Sequence, residues 1–276
     1  MVLIQRQILA RIVSDSICMS SHKAAVQAEK HKRIPDNIAE DPIIIGHEFC
    51  GEILQVGDKW ADRFKAGQRF SIQPALNYPD GPVGLLSAPG YSYRYIGGDA
   101  QHVIIPAEVM EQDCLLPFEG EAFYLGSLAE PMSCIVGSFH ASYHTRPGSY
   151  EHEMGIVEGG ATAILAGVGP MGLGAIDYAL HCERKPGLLV VTDIDQQRLD
   201  RAAAIYTTRE AEANGVKLVY VNTADPDKDD AYLKSLTPGS GGFNDVFVFA
   251  PVRQLVEQAD RIMACLLYTS DAADDS

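Results

Sequence analysis

Three glycines, Gly167, Gly169 and Gly172, constrain the second half of the chain most strongly. They follow a short apolar run at 161–166 and open a second apolar run at 172–181. In a Gly-x-Gly-x-x-Gly motif between a strand and a helix, the glycines allow a tight turn, a close backbone approach to a pyrophosphate and close helix–strand packing. The helix N-terminus then presents free N–H groups to the phosphates. The motif therefore predicts a dinucleotide-binding site.

An acidic residue completes this prediction. Asp193 ends the next predicted strand, about 20 residues after the last glycine, where an acid usually holds the ribose hydroxyls. The stretch 192–195 contains no arginine that could receive a 2′-phosphate. We therefore expect NAD(H) rather than NADP(H), bound by the three glycines, Pro170, Met171 and Asp193. A glycine motif alone is also typical of an ordinary loop; the placement of strand, helix and acid favours the dinucleotide site.

Strands and helices alternate through this half of the chain, which predicts βαβ units in a parallel sheet. Helices are predicted at 172–181, 197–206 and 252–264. The predicted strands are 161–166, 187–193, 217–221 and 245–250. A complete sheet of this type has six strands, so we expect two more beyond Ala264.

The first half of the chain is instead rich in short β-like runs between Gly and Pro residues, which predicts a mostly β domain. These runs are 7–13, 42–46, 50–57, 67–72 and 101–106. The stretch 77–98 is dense in Gly, Pro and Tyr and is predicted to be a loop.

Composition excludes several classes of protein. The 276 residues are 46% hydrophobic, enough for two cores. The formal net charge of −15 argues against a general nucleic-acid or anionic-membrane partner. No apolar run is long enough to span a bilayer, and the six cysteines are widely spaced, as in a reduced protein. We therefore expect a cytoplasmic protein.

Four residues supply the ligand types of a catalytic zinc: Cys18 a thiolate, His47 an imidazole, and Glu48 and Glu130 carboxylates. Each alone has an ordinary structural explanation, such as a buried cysteine or a glutamate that begins a helix. Zinc beside a nicotinamide indicates hydride transfer between an alcohol and a carbonyl.

The order of these motifs resembles the zinc-dependent medium-chain dehydrogenase/reductase family, and within it the polyol and sugar-phosphate branch that contains the L-sorbose-1-phosphate reductase-like group. The resemblance implies an α/β chain: a partial GroES-like, mostly β catalytic domain at 1–135, then a partial Rossmann domain with a doubly wound parallel sheet at 136–264. It also implies hydride transfer to or from a polyol, a ketose or its phosphate, and a homo-oligomeric full-length protein.

The resemblance also assigns roles. Cys18, His47 and Glu130 would ligate one catalytic zinc, while Glu48 would ligate it or exchange with water. Ser20 would hydrogen-bond the reacting oxygen and pass its proton on; a hydroxyl that caps the following helix is an equally open interpretation. No structural zinc is expected, because no cysteine lies between Cys50 and Cys114.

Two positions differ from the commoner Cys-Gly-Ser/Thr-Asp pattern of the family. Met19 replaces the glycine, and Ser21 replaces an aspartate that orients the zinc-bound histidine. The exit route of the proton is also open, since many relatives have a histidine at the position of Lys23 and this chain has His22 instead. Two other interpretations therefore remain: a zinc-free reductase of the same family, or a protein that binds a dinucleotide without turnover.

Two further groups of residues allow a functional and a structural interpretation. A basic stretch could attract a sugar phosphate, although a solvated helix end is favoured; it comprises Lys23, Lys30, His31, Lys32 and Arg33. Alternating tyrosines could line a sugar pocket from one face of a strand, although core packing is favoured; they are Tyr91, Tyr93 and Tyr95.

Both ends of the chain differ from the expected pattern of the family. Residues 265–276 resemble a translated library-preparation adapter rather than natural protein sequence, and such segments are excluded from fold reasoning. Family members have additional strands before the Cys18 region, whereas 7–13 matches a later strand. We therefore expect that the natural protein extends beyond both ends.

Overall fold

The computed structural model describes residues 5–145 and 148–264. The adapter-like segment 265–276 lies outside the described residues. The chain divides into two compact units, Met1–Pro131 and Met132–Ser276. The proposed domain boundary after residue 135 stays a prediction.

The first unit contains a five-stranded antiparallel sheet with strand order β4-β1-β2-β3-β5. Its hydrophobic side chains form one core. Within this core the rings of Phe49 and Phe70 pack edge to face. The strands are β1 Ile8–Asp15, β2 Phe49–Val56, β3 Arg69–Ile72, β4 His102–Ile105 and β5 Leu115–Pro117. The helices are α1 Met19–Gln27, α2 Ala107–Glu111, α3 Phe123–Ser127 and α4 Ala129–Ala141, the last continuing into the second unit.

The pairing of β1 with β2 determines which loops meet. Asp15, at the end of β1, pairs with Phe49 at the start of β2. The Ser16 N–H then donates to the Glu48 carbonyl oxygen at 3.0 Å. Because the two strands are antiparallel, the chain leaving β1 toward Cys18 runs beside the chain that enters β2.

One predicted strand is wrong, and one alternating pattern in the predicted loop corresponds to no strand. The run 42–46 forms no strand; its carbonyls at Ile45 and Gly46 accept hydrogen bonds from the N–H groups of Asp99 and Gly98. The tyrosine run 91–95 consists mainly of turns within the long loop, so its alternation reflects no strand face. In both segments the side chains that suggested a strand pack against neighbouring loops, and the backbone forms no β-ladder.

The second unit contains a four-stranded parallel sheet in the order β10-β9-β8-β11. The four predicted strands are therefore confirmed, and they lie in the order third, second, first, fourth that a Rossmann sheet shows. They are β8 Ala161–Leu165, β9 Leu188–Asp193, β10 Lys217–Asn222 and β11 Asp245–Val248. Helices α5 Pro170–His181, α6 Gln196–Ile205 and α9 Arg253–Ile262 match the three predicted ones to within a few residues.

Sequence patterns missed several short elements of this unit. Two are the helices α7 Thr208–Ala213 and α8 Asp230–Ser235, and two are the strands β6 Tyr143–Thr145 and β7 His152–Met154. The helices begin with side-chain caps, Thr207 to the Glu210 N–H and Asp229 to the Tyr232 N–H. Each of these helices has six residues, which is too short for apolar periodicity to reveal. The capping residues were the sequence signal that could have predicted them.

Within the part of the chain that the structure describes, no helix is long and apolar enough to cross a membrane. Among the described residues, Cys18, Cys50, Cys114 and Cys182 are outside any disulfide.

We predict that Glu111→Gln destabilises the first unit in a pH-dependent way. The Glu111 carboxylate bonds Lys59 at 2.6 Å and Arg6 at 2.7 Å, and these contacts hold its pKa below the ordinary 4.5. A lowered carboxyl pKa stabilises the fold above about pH 4.5, and this stabilisation disappears as the pH falls through the folded-state pKa. Because the pair is partly exposed, we expect a loss of about 0.5–1 kcal/mol at pH 7 in urea unfolding.

The control for this experiment is Glu121→Gln, which removes an exposed carboxylate outside this ion-pair network. Equal losses for both variants at pH 7, or a Glu111→Gln loss that persists unchanged below pH 4, would contradict the prediction.

Candidate functional site

Three of the predicted metal ligands lie together in the first unit. The Cys18 thiol, a ring nitrogen of His47 and a carboxylate oxygen of Glu48 all lie within 4.8 Å of one another. His47 and Glu48 are 5% and 6% exposed. The cluster is therefore shielded from solvent on most sides.

Two close backbone approaches hold His47 in place. Gly46 has φ +92°, and any Cβ there would collide with the Asp15 carboxylate. Gly90 has φ +79°, and a Cβ there would collide with the Gly46 carbonyl oxygen. Both conformations are open to glycine at little cost. They let the loop around Gly90 lie directly on the backbone of Gly46 and His47.

Ser20 connects the members of the cluster. Its Oγ lies 2.9 Å from the Cys18 Sγ and 3.4 Å from the His47 Nε2. Cys18 is the N-cap residue of α1 and makes no side-chain cap bond, while Ser20 lies inside the helix. Among the described contacts Ser20 thus faces the cluster and does not cap the helix.

Tyr91, for which the sequence favoured core packing over a place in a pocket, is a member of the site. Its hydroxyl donates to the Ser20 Oγ at 2.9 Å, and its ring lies 4.8 Å from the His47 ring. Tyr93 is buried in the core and Tyr95 is 53% exposed. The alternation had suggested one role for all three tyrosines, and the structure gives each a different one.

The two remaining predicted side chains contact the cluster from its edges. The Ser21 Oγ lies 3.1 Å from the His47 Nδ1, in the position expected of a residue that orients the imidazole. The Glu130 carboxyl, in the first turn of α4, hydrogen-bonds the Glu48 carboxyl. Glu130 therefore adjoins the three-residue cluster through Glu48.

Burial determines the electrostatics of the site. It lowers the pKa of His47 to about 4, so the imidazole is neutral at pH 7. Burial also raises the pKa of the Cys18 thiol and of the Glu48 carboxyl. Contacts with Cys18 and Glu130 partly oppose the rise at Glu48.

The donor set fits a zinc ion. Ligand atoms about 2.0–2.3 Å from a tetrahedral zinc are separated by roughly 3.3–3.8 Å, so the cluster needs a contraction of about 1 Å. Among the described residues, the basic side chain within 4 Å of the Glu48 carboxylate is His47, at 3.9 Å. Its neutral ring offers no positive charge to balance the carboxylate. A divalent cation would offset the charge of the Glu48 carboxylate and a Cys18 thiolate, which burial otherwise disfavours.

A second buried carboxyl lies beside the cluster and was also missed. Burial and a hydrogen bond to Asp99 raise the pKa of Asp15 to about 7, and its carboxyl accepts a hydrogen bond from the backbone of Glu48. Asp15 thus fixes the backbone of a predicted ligand. No sequence motif distinguishes it from an ordinary strand-end aspartate.

The predicted dinucleotide motif forms the expected turn in the second unit. Gly167 and Gly169 lie between β8 and α5, and the Gly167 N–H donates to the Thr192 carbonyl of β9 at 2.8 Å. Pro170 is the first residue of α5, and Met171 follows it. A Cβ on Gly172 would collide with the Gly167 carbonyl oxygen, whereas a Cβ on Gly169 would meet open space.

Asp193 ends β9, as expected, and is 6% exposed. Its Oδ1 accepts the Asp195 N–H at 2.9 Å. Two arginines of α6 lie nearby: the Arg198 Nε is 3.7 Å from the Asp195 carboxylate, and the Arg201 Nη2 is 3.4 Å from the Val168 carbonyl. The stretch 192–195 did not reveal them, and the preference for NAD(H) stays a prediction.

Residues 5–113 match the model of the alcohol dehydrogenase GroES-like domain. The chain is 48% identical over 271 residues to the mannitol-1-phosphate 5-dehydrogenase of Aliivibrio fischeri and, over the same length, to the L-sorbose 1-phosphate reductase of Klebsiella pneumoniae. Each match covers 97% of this chain and 63% of the relative. The chain thus spans less than two thirds of the length of these relatives.

The fold matches a solved structure from Sinorhizobium meliloti, described as a candidate zinc-binding dehydrogenase bound to NADP. The TM-score is 0.67 at 20% identity, over 99% of this chain and 72% of the other. At this identity the likeness concerns the fold alone: an antiparallel GroES-like domain followed by a parallel sheet.

We predict that two glycine substitutions in the dinucleotide turn have different effects. Gly169→Ala places a methyl group where the turn is open, so stability should stay near wild type while NAD(H) affinity falls by about tenfold or more, or about 1.4 kcal/mol. Gly172→Ala places a methyl group against the Gly167 carbonyl and should cost about 1–3 kcal/mol of stability.

Calorimetric titration with NADH and thermal unfolding would measure both effects. Undiminished NADH binding by a folded Gly169→Ala variant would show that the pyrophosphate does not approach this turn.

Proposed function

Because the chain belongs to the medium-chain dehydrogenase/reductase family, we propose that it serves a zinc-dependent hydride transfer between a nicotinamide cofactor and a polyol or ketose phosphate. The observation that carries the proposal is the convergence of Cys18, His47 and Glu48 within 4.8 Å, with the Ser20 hydroxyl bonded to the Cys18 thiol. The names of the two relatives at 48% identity support a sugar-phosphate substrate.

Cys18, His47 and one or both of Glu48 and Glu130 would hold the zinc. Bound there, zinc supplies a Lewis acid that lowers the pKa of an alcohol or polarises a carbonyl. The nicotinamide supplies or accepts the hydride. We favour NAD(H), held by the glycine turn and by Asp193, whose carboxylate would repel a 2′-phosphate.

The protein's own residues would orient the reacting oxygen and move its proton. Ser20 is the best placed, since its Oγ adjoins the Cys18 thiol and receives a hydrogen bond from Tyr91. Burial raises the pKa of Tyr91 to about 12, so its hydroxyl stays protonated and keeps donating to Ser20. The Ser20 hydrogen is thereby free to hydrogen-bond a bound oxygen. To relay a proton from a substrate alcohol, Ser20 would release its own hydrogen to an acceptor such as water in the same step, because the Tyr91 hydroxyl keeps its proton.

We predict that Cys18→Ser abolishes both zinc binding and turnover. The wild-type protein should bind about one equivalent of zinc and oxidise NADH with a ketose 1-phosphate. A serine hydroxyl is a poorer ligand than a thiolate, so elemental analysis should find little metal in the variant.

The matched control is Cys182→Ser, which alters a thiol in the second unit whose Sγ donates to the backbone carbonyls of Ala179 and Arg184. Turnover without zinc would contradict the proposal and favour a zinc-free reductase. Stoichiometric zinc without NADH oxidation would favour a non-catalytic dinucleotide-binding protein.

We predict that Ser21→Ala weakens zinc binding without unfolding the site. The Ser21 Oγ contacts the His47 Nδ1 at 3.1 Å, and loss of such a partner typically costs about 10- to 100-fold in metal affinity. Competition with a chromophoric chelator would measure the change. Ser14→Ala, which removes a hydroxyl that contacts Ser127 instead, is the control; an equal loss in both variants would argue against a specific role of Ser21.

A further inference from the structure

Two cations of the basic stretch differ from its exposed members. Lys23 and Arg33 are half-buried, while Lys30 and Lys32 are exposed. Within residues 5–145 and 148–264, neither Lys23 nor Arg33 forms an ion pair with a carboxylate, in a chain of net charge −15. A solvated helix end, the favoured sequence interpretation, would expose both.

The fold places Lys23 beside the metal cluster. It lies on α1, one helical turn after Ser20, and residues three apart on a helix share a face. Ser20 contacts Cys18, His47 and Tyr91. Lys23 therefore lies on the helix face that carries the cluster.

Arg33 reaches the same region from the other side of Tyr91. Its guanidinium lies 5.9 Å from the centre of the Tyr91 ring, on which the ring of His31 also stacks at 5.7 Å. The hydroxyl of this tyrosine bonds Ser20. One aromatic ring thus separates the guanidinium from the reacting centre.

The positive charges of Lys23 and Arg33 both act on His31. After burial, they are the two largest causes that lower the pKa of His31, and the charge of Arg33 also lowers the pKa of His47. Both cations therefore contribute to a positive potential around the Tyr91 ring, adjoining the cluster.

The backbone at residue 33 is fixed, while most of the guanidinium stays available. Ser92 donates to the Arg33 carbonyl at 2.6 Å, and the Arg33 N–H donates to the His31 Nδ1. The guanidinium itself makes one long contact, from Nη1 to the Leu86 carbonyl at 3.3 Å. Its other N–H groups can bind a ligand.

A phosphate fits this arrangement in charge and in reach. Arginine binds a phosphate through two parallel N–H bonds, and lysine adds a point charge. In a hexitol 1-phosphate, three bonds of about 1.5 Å separate C2 from the phosphorus and six separate C5 from it, a span of about 4–8 Å. On the protein side, the Ser20 Oγ lies 2.9 Å from the Tyr91 hydroxyl, and the Arg33 guanidinium lies 5.9 Å from the centre of the same ring.

We propose that Lys23 and Arg33 form a phosphate subsite beside the Tyr91 ring, adjoining the cluster of Cys18, His47 and Glu48, and that this subsite selects phosphorylated over unphosphorylated substrates. This inference rests on the proposed function, since it assigns the substrate's phosphate to particular residues of the same site. Tyr91 then serves both ends of the substrate, with its hydroxyl at the Ser20 end and its ring beside the phosphate.

The experiment compares a ketose 1-phosphate with the unphosphorylated ketose as substrates of wild type, Lys23→Gln, Arg33→Gln and Arg33→Lys. The ratio of kcat/KM for the phosphorylated ketose to that for the unphosphorylated ketose should fall about 10- to 100-fold in each glutamine variant. Most of this fall should come from a higher KM for the ketose 1-phosphate. Arg33→Lys should recover part of it. Lys65→Gln, which removes an exposed lysine of the same unit, should keep the wild-type ratio.

An unchanged ratio in both glutamine variants, or equal losses on both substrates, would overturn the proposal, because the residues would then be neutral or merely structural. If wild type turns over neither substrate, the proposed function fails and calorimetric binding of inorganic phosphate decides the subsite. Phosphate binding that is lost in Arg33→Gln and kept in Lys65→Gln supports it. No binding to wild type, or equal binding to all variants, overturns it.

Discussion

The buried imidazole of His47 is the group on which the first unit's loops converge. Its Nδ1 contacts Ser21, its Nε2 contacts Ser20 and Tyr91, and its ring packs on the Tyr91 ring. A buried polar ring is costly unless its nitrogens have partners, so helix α1, the β2 entry and the long loop must all hold their positions together. The cluster geometry is thus a consequence of satisfying one buried side chain.

The second unit was the more predictable half because its signals are local. Buried parallel strands such as 187–193 are continuous apolar runs, and the glycine motif marks the first turn between strand and helix. In the first unit, by contrast, 42–46 and 91–95 had strand-like patterns but pack as loops against Gly98, Asp99 and His47. Contacts between distant loops leave no periodic pattern in the sequence. For this reason Tyr91 was assigned to core packing and Asp15 was missed.

Motif chemistry predicted more of the candidate site than periodicity did. Cys18, His47 and Glu48 were identified by residue type and order, and the structure brings their donor atoms within 4.8 Å. The sequence favoured a solvated helix end for Lys23 and Arg33, because their burial could not be read from a run of charges. In the structure both side chains are half-buried, with the Arg33 guanidinium beside the Tyr91 ring, while Lys30 and Lys32 are exposed.

The serine at position 21 and the cations at 23 and 33 have one electrostatic consequence in common. In the family pattern that the chain resembles, an aspartate orients the metal-bound histidine and adds a negative charge to its surroundings. Ser21 keeps the contact to the His47 Nδ1 without that charge. A phosphate carries close to two negative charges at neutral pH, and like charges a few ångströms apart in a shielded site repel strongly. The serine is neutral, and among the described residues the two cations have no ion-pair partners. This combination suits a phosphorylated substrate better than an aspartate at position 21 would. The serine is, however, a weaker hydrogen-bond acceptor for the imidazole than an aspartate.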